Sequence, residues 1–381
     1  MILDDCGTLS ISRASFAHNA TFYRKLLPPK AEISAVVKAN AYGHGLPQMI
    51  ELLVQNNIRW CSVFSVHEAI EVLKKAPSLN VHVLCPLSFQ AGASSAEIPG
   101  IWRQILTLGA ENRLYLTIQS VRDAEQLNSL AQTMGREVQV HVQIDVGLTR
   151  QGCTADLLPT LLRAVSSLPR IKLSGVFAHF SHGEIPDSDV TARQYDIFNT
   201  LSGPLRSQGI VAHIHNSGGT LRTLPVDVDL VRLGIGLYGL QPSLEYPNDA
   251  LRPIAELTAP VLALHVRPVG TGVGYGHEFV TSRPSRLAII PVGYGDGYRR
   301  ELGGRSAVEI GRRQYPVVGR VSMDQIVVDV TDGRVHEGDT ATLISSNPRS
   351  NISMDHLARI CRTIGYEMAT GLGARLMRQL I

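Results

Sequence analysis

The 381-residue chain carries 36 basic and 33 acidic residues, a formal charge of +3, with 44% apolar and 18% charged residues. That balance describes an ordinary globular core and argues against nucleic acid or an anionic membrane surface as the main partner. The length suits two domains, or one barrel with an appendage.

The earliest apolar run, Gly7–Ser12, is expected to pair with the C-terminal part of the chain. Eight β-rich runs then follow before about residue 240: Ile33–Ala39, Trp60–Phe64, Val81–Leu84, Leu114–Ile118, Val138–Ile144, Leu173–Ala178, Val211–His215 and Leu230–Leu233. Between them lie helical patterns. Ser65-Val66-His67-Glu68 is a capping box opening a helix over Glu68–Lys75, and Ser120-Val121-Arg122-Asp123 opens another. Ala155–Ser167 and Val190–Leu205 carry apolar residues at helical spacing. Strand–helix alternation with eight near-continuous apolar strands predicts a (β/α)8 TIM-type barrel over 1–242. A doubly wound open sheet is the structural alternative. No Gly-x-Gly-x-x-Gly follows the first strand, which argues against its dinucleotide-binding form.

Leu240–Pro253 reads as a linker, and a mainly β domain over 243–381 follows. Its strands are expected at Val261–Val266, Leu287–Pro291, Ala307–Ile310, Tyr315–Val318, Ile326–Val330 and Ala341–Ile344, with a helix over Met354–Ile364. The cysteines at 6, 61, 85, 153 and 361 are odd in number and form no Cys-x-x-Cys pair. Neither a disulfide framework nor a zinc site is expected, and a reducing cytoplasm fits best. Met1-Ile2-Leu3-Asp4-Asp5 lacks the apolar segment of a secretory signal, and no run reaches membrane-spanning length.

Unusual residues gather at the ends of the barrel runs, where barrel enzymes place their chemistry. Lys38 ends the first, Asp145, Gly147 and Arg150 follow the fifth, and His179 ends the sixth. Asn216-Ser217-Gly218-Gly219 follows the seventh and Arg232-Leu233-Gly234-Ile235-Gly236 the eighth. A lysine in apolar surroundings is costly to bury charged, which suits Schiff-base chemistry, although a lysine that merely caps its strand reads the same way. Small-residue loops with free N–H groups beside a hydroxyl suit a phosphate. One lysine plus one phosphate site is what pyridoxal phosphate needs. His213-x-His215 lacks a third ligand at useful spacing, so no metal is expected.

Val37-Lys38-Ala39-Asn40-Ala41-Tyr42-Gly43-His44-Gly45 resembles the cofactor-lysine motif of the alanine racemase family. The resemblance continues through Val140–Arg150, Phe177-Ala178-His179-Phe180, His215-Asn216-Ser217, Val231–Leu240, Val273-Gly274-Tyr275-Gly276, Pro291–Arg300, Gly319–Gln325 and Ile364-Gly365-Tyr366-Glu367. It implies a cytoplasmic, pyridoxal 5'-phosphate-dependent alanine racemase supplying D-alanine for peptidoglycan, with Lys38 and Tyr275 as bases on opposite faces of the substrate. By the same resemblance His179, Asn216, Ser217, Gly234, Ile235, Tyr42 and Tyr366 hold the cofactor with Lys38. Arg232 faces its pyridine nitrogen, and Arg150 and Met323 meet the amino-acid substrate. Tyr294, Arg300, Arg320 and Asp324 lie at the entrance. Tyr275 and Met323 reach the site from a partner subunit, which implies a head-to-tail homodimer. Gln143 departs from the family pattern, standing where many members carry a lysine that orients the arginine matching Arg150; it can accept a hydrogen bond but brings no charge. Arg232 favours a racemase over the related decarboxylases, which use a carboxylate there. A serine or broad-specificity racemase is the nearest alternative, and a non-catalytic pyridoxal-phosphate carrier, which lacks the β domain, a more distant one.

Overall fold

A computed structural model describes residues 7–86, 100, 104, 111–221 and 226–381. Strand β1 (Thr8–Ile11) leads into helix α1 (Arg13–Leu26). Eight strands follow: β2 (Glu32–Val36), β3 (Trp60–Val63), β4 (Asn80–Pro86), β5 (Leu114–Ile118), β6 (Val138–Gln143), β7 (Ile171–Phe177), β8 (Val211–His213) and β9 (Leu230–Leu233). They form one sheet in the order β8-β7-β6-β5-β4-β3-β2-β9, with every neighbouring pair parallel. The N–H of Asp229 donates to the carbonyl of Ala212 (3.0 Å) and that of Arg232 to His215 (2.9 Å), which brings the two edges together as a barrel.

The strands hold because both faces are covered. Val63, Val81, Val83, Leu116, Val140, Val142 and Val176 are all buried, as parallel strands of β-branched residues require. Helices α2 (Leu46–Gln55), α3 (Val66–Lys75), α4 (Val121–Thr133), α5 (Leu158–Ser167) and α6 (Asp189–Arg206) occupy crossovers. The expected capping box at Ser65 and Glu68 is present in both directions, and Ser120 caps α4 through Asp123. The connection after β4 falls largely outside the described residues, as does Cys6.

Val37 and Lys38 continue from β2 into an unusual turn. Ala39, Asn40, Ala41 and Tyr42 have φ of 52°, 52°, 54° and 51°, four consecutive left-handed residues without a glycine. Left-handed backbone costs an L-residue roughly 1–2 kcal/mol, so neighbouring contacts must hold this turn.

The second sheet comprises β10 (Ala255–Pro260), β11 (Ala263–Arg267), β14 (Ser285–Ile290), β15 (Ala307–Ile310), β16 (Arg313–Val318), β17 (Ile326–Asp329), β18 (Thr340–Ile344) and β19 (Met377–Leu380), joined by β1. Its order is β11-β14-β17-β16-β15-β18-β10-β1-β19, antiparallel except for β1 with β19. Two short strands, β12 (Gly272–Val273) and β13 (Phe279–Val280), pair separately. The helix expected over Met354–Ile364 ends early, as α7 (Met354–Ile360), because Arg362 turns left-handed at φ 55°, and a further helix, α8 (Gly365–Thr370), follows. The chain separates into two compact units. One comprises Ala20–Ala41 and Met49–Leu237, the other the described residues up to Asn19, Tyr42–Gln48 and Tyr238–Ile381. No helix among the described residues is long and apolar enough to cross a membrane.

Candidate active site

In the barrel unit Lys38 lies half-buried just past the end of β2. Burial first, then the Arg150 guanidinium, push its amine below the ordinary lysine value; Glu68 opposes them and Arg232 adds to them. A lowered value increases the share of free amine near neutrality, the form that bonds to a carbonyl carbon or takes a proton.

Arg232, on β9, is 3% exposed. One terminal nitrogen donates to Nδ1 of His213 (2.6 Å) and to the His213 carbonyl (3.1 Å). The other donates to the Ala178 carbonyl (2.6 Å) and reaches Nδ1 of His179 (3.1 Å) and the Ile214 carbonyl (3.4 Å). Among the described residues no carboxylate pairs with it. Burial lowers the guanidinium to about 9, which leaves it charged at neutral pH.

A guanidinium only donates, so Nδ1 of both His179 and His213 must accept, and their protons sit on Nε2. Nε2 of His213 then donates to Nδ1 of His141 at 2.9 Å. All three imidazoles are neutral: burial, then Arg232, lower His179 and His141 to about 3 and carry His213 well down too. His82, His141 and His213 each place one ring nitrogen within 4.8 Å of the others, a spacing a metal could use. Metal on Nε2 of His213 would leave a proton on Nδ1, facing the Arg232 donor at 2.6 Å. Hydrogen bonding, not ligation, therefore accounts for the cluster.

The phosphate-like cradle lies at the ends of β8 and β9. Asn216 caps a short helix, Ser217–Thr220, by accepting from Gly219 at 2.8 Å. The Ser217 hydroxyl accepts from the N–H groups of Gly234 (3.0 Å) and Gly236 (3.2 Å). Gly234, expected to offer its N–H outward, therefore spends it on Ser217. The N–H groups of Ser217, Gly218 and Ile235 have no protein partner among the described residues, and the Ser217 O–H remains able to donate. Behind them the Tyr23 hydroxyl donates to the Ser217 carbonyl at 3.4 Å. A Cβ on Gly236 would stand 2.0 Å from that hydroxyl, so no larger residue fits. Gly236→Ala is expected to displace Tyr23 and weaken binding of a phosphate-bearing cofactor at least about tenfold, about 1.4 kcal/mol, measurable by fluorescence titration of the apoprotein.

Gln143 is buried, and its Oε1 has no hydrogen-bond partner among the described residues. The bond it could accept from Arg150 is absent, because Arg150 lies exposed in the loop beyond β6.

The remaining expected residues belong to the other unit. The Tyr42 ring is buried, 5.0 Å from that of Tyr238 and 6.2 Å from that of Tyr366. Tyr275 is 70% exposed, between Gly274 (φ 68°) and Gly276 (φ 73°). With Tyr294, Arg300, Arg320, Val321 and Ser322 it lines a cavity of about 480 Å3. Arg320 pairs with Glu278, and Asp324 with Arg375 at 2.7 Å. Met323 is exposed, and its carbonyl accepts from Gly295 at 2.9 Å.

Sequence reasoning overlooked Tyr23 and His141. His213 was noticed only for its spacing to His215. The signal it carried was its place three residues before Asn216, facing along a strand toward the arginine of the next.

The family profile described as "Alanine racemase, N-terminal domain" matches residues 11–242, and "Alanine racemase, C-terminal domain" matches 254–380. An alanine racemase of Prochlorococcus marinus is 32% identical over 98% of this chain and 95% of its own length. The crystal structure of alanine racemase from Streptomyces lavendulae superposes with a TM-score of 0.86 at 29% identity, covering 98% of this chain and 97% of that one. That of Bartonella henselae, described with covalently bound pyridoxal phosphate, has a TM-score of 0.83 at 27% identity, covering 98% and 99%.

Proposed function

The chain belongs to the alanine racemase family, and on that premise we propose that Lys38 and Tyr275 exchange the α-proton of alanine from opposite faces. Membership makes the protein a pyridoxal-phosphate-dependent isomerase that interconverts L- and D-alanine, the D form serving peptidoglycan. The residues present fit the cofactor. Ser217, Gly218 and Ile235 offer N–H groups toward a phosphate, and Lys38 offers an amine made more available by burial. When bound, pyridoxal phosphate acidifies the substrate's α-hydrogen by delocalising the charge left behind.

The chain's own groups then divide the work. Lys38 takes or returns a proton on one face, and Tyr275, brought by a partner subunit in a homodimer, does so on the other. Arg150 and Met323 meet the substrate, while Tyr42, Tyr366, Asn216 and His179 orient the cofactor. Tyr294, Arg300, Arg320 and Asp324 border the way in. Four free cysteines among the described residues support a reducing, cytoplasmic setting.

One observation carries the reaction type: Arg232 is held by neutral histidines and carbonyls with no carboxylate among the described residues. With pyridoxal phosphate bound, Arg232 would face the pyridine nitrogen as a donor, would disfavour its protonation, and so would favour return of the proton over transamination. The test is chiral chromatography after incubating cofactor-loaded protein with L-alanine, L-serine and other L-amino acids separately. Dominant D-alanine supports the reading. Comparable D-products from several amino acids replace it with a broad-specificity racemase, and no D-product overturns it.

Gln143→Lys is expected to keep kcat/KM for alanine within about tenfold, under roughly 1.4 kcal/mol in the barrier, because the Gln143 side chain accepts no bond from the described residues that would be lost. Steady-state kinetics check this.

A further inference from the structure

The lysine turn has a fastening that the family reading leaves unused. The N–H of Ala39, the first peptide after Lys38, donates to Oε1 of Glu68 at 2.8 Å. The other carboxylate oxygen, Oε2, accepts from Phe64 (2.8 Å) and Ser65 (3.0 Å). Only the Ser65 bond belongs to the capping box of α3. The bonds to Phe64 and Ala39 exceed what a helix start needs, and Ala39 lies on a different strand exit altogether. A carboxylate accepting from three N–H groups makes short, charge-assisted bonds. One of them lands where four left-handed residues begin, a conformation that persists only when its surroundings over-determine it. The same carboxylate is the negative group acting on the Lys38 amine, against burial, Arg150 and Arg232.

We propose that Glu68 is a positioning residue for Lys38, its one carboxylate joining the start of α3, the exit of β3 and the lysine turn into a single rigid piece. This rests on Lys38 being the reactive lysine. Without Glu68 the Ala39 peptide loses its anchor, the turn relaxes, and the amine is no longer held where the cofactor's carbonyl and the substrate's α-carbon must both meet it. A displacement of about 1 Å at a reacting group costs on the order of 100-fold. The charge has a separate effect. Glu68 favours the protonated amine while Arg150 and Arg232 disfavour it and the neighbouring His179 is neutral, so removing the charge lowers the pH at which Lys38 loses its proton.

The test compares Glu68→Ala, Glu68→Gln and Ser65→Ala, the last removing the other half of the capping box without touching Ala39. Amide hydrogen exchange of Ala39 is read by NMR in the apoprotein, which needs no cofactor. Covalent uptake of pyridoxal phosphate and racemisation follow in the loaded enzyme. Glu68→Ala is expected to speed Ala39 exchange at least about tenfold and to lower kcat about 10- to 100-fold with KM little changed. Glu68→Gln, which keeps an acceptor, retains most of the protection but moves the acid limb of the kcat/KM profile to lower pH. Ser65→Ala lowers thermal stability and leaves Ala39 exchange and kcat within about twofold. Equal Ala39 exchange and kcat in Glu68→Ala and Ser65→Ala reduces Glu68 to a helix cap and overturns the proposal. Wild-type protein that takes up no pyridoxal phosphate overturns the reading of Lys38 itself, whatever the exchange data show.

Discussion

Lys38→Ala is expected to remove racemisation by at least about 10,000-fold, about 5 kcal/mol in the barrier, and to end covalent retention of pyridoxal phosphate. Lys38 is asked for two things, a bond to the cofactor and a proton at the substrate, and no second lysine stands in the barrel mouth among the described residues to supply either. Chiral chromatography reads the first loss and borohydride reduction followed by peptide mapping the second. Overall binding is expected to persist at reduced affinity, because the Ser217, Gly218 and Ile235 donors do not depend on the amine. The wild-type pH profile carries a matching signature. Burial and Arg150 lower the Lys38 amine, so its free-base fraction, and kcat/KM with it, rises through a pH below the ordinary lysine range. An acid limb at or above that range, or a Lys38→Ala enzyme retaining a hundredth of wild-type rate, removes Lys38 from the mechanism.

Tyr275→Phe is expected to lower racemisation in both directions by about 1,000-fold, within the range a single general acid–base group supplies. The phenol oxygen is the only atom changed, on a side chain that is 70% exposed in one subunit, so stability is expected to stay within about 0.5 kcal/mol. The discriminating measurement is deuterium uptake at the α-carbon in heavy water. With Lys38 intact, one enantiomer of alanine still exchanges its hydrogen while inversion fails; the other exchanges far more slowly. Equal exchange from both enantiomers shows that one base serves both faces, and the two-base assignment falls. Mixed dimers of Lys38→Ala and Tyr275→Phe chains test the partner's contribution as well. A shared site regains about half of its sites, one wild-type in both residues per dimer, whereas a site built within one chain regains none.

The barrel was readable because its strands are short, nearly continuous apolar runs, a pattern that buried parallel strands produce and few other elements share. Lys38, His179, Ser217 and Arg232 stood out because each lies at or just beyond the end of such a run. Other features left no local mark. β10, Ala255-Glu256-Leu257-Thr258-Ala259-Pro260, alternates with small residues and falls between the expected linker, Leu240–Pro253, and the first expected strand, Val261–Val266. β19, Met377-Arg378-Gln379-Leu380, puts two polar residues in a four-residue strand that only its pairing with β1 explains. The left-handed turn is written in Ala-Asn-Ala-Tyr, of which only Asn favours that conformation. Glu68 was visible as a capping residue, but its hold on Ala39 spans the barrel's first crossover, and no sequence spacing encodes it. That the bond Gln143 can accept from Arg150 is not made was equally unreadable, since side-chain reach is set by the loop's course.

The place of β1 has a consequence for how the molecule is made. Thr8 faces Thr258 on one side and Met377 on the other, so β1 is an interior member of the second sheet whose two neighbours are both made long after it. At about 5–20 residues per second, it waits roughly 10–50 s for its first neighbour and roughly 20–75 s for its second. Throughout that interval the intervening barrel segment can already collapse, leaving an unpaired strand of alternating Leu9 and Ile11 tethered outside it. Synthesis of β19, rather than barrel formation, sets when the second sheet closes. Chaperone dependence and misassembly during expression are expected to track that late step.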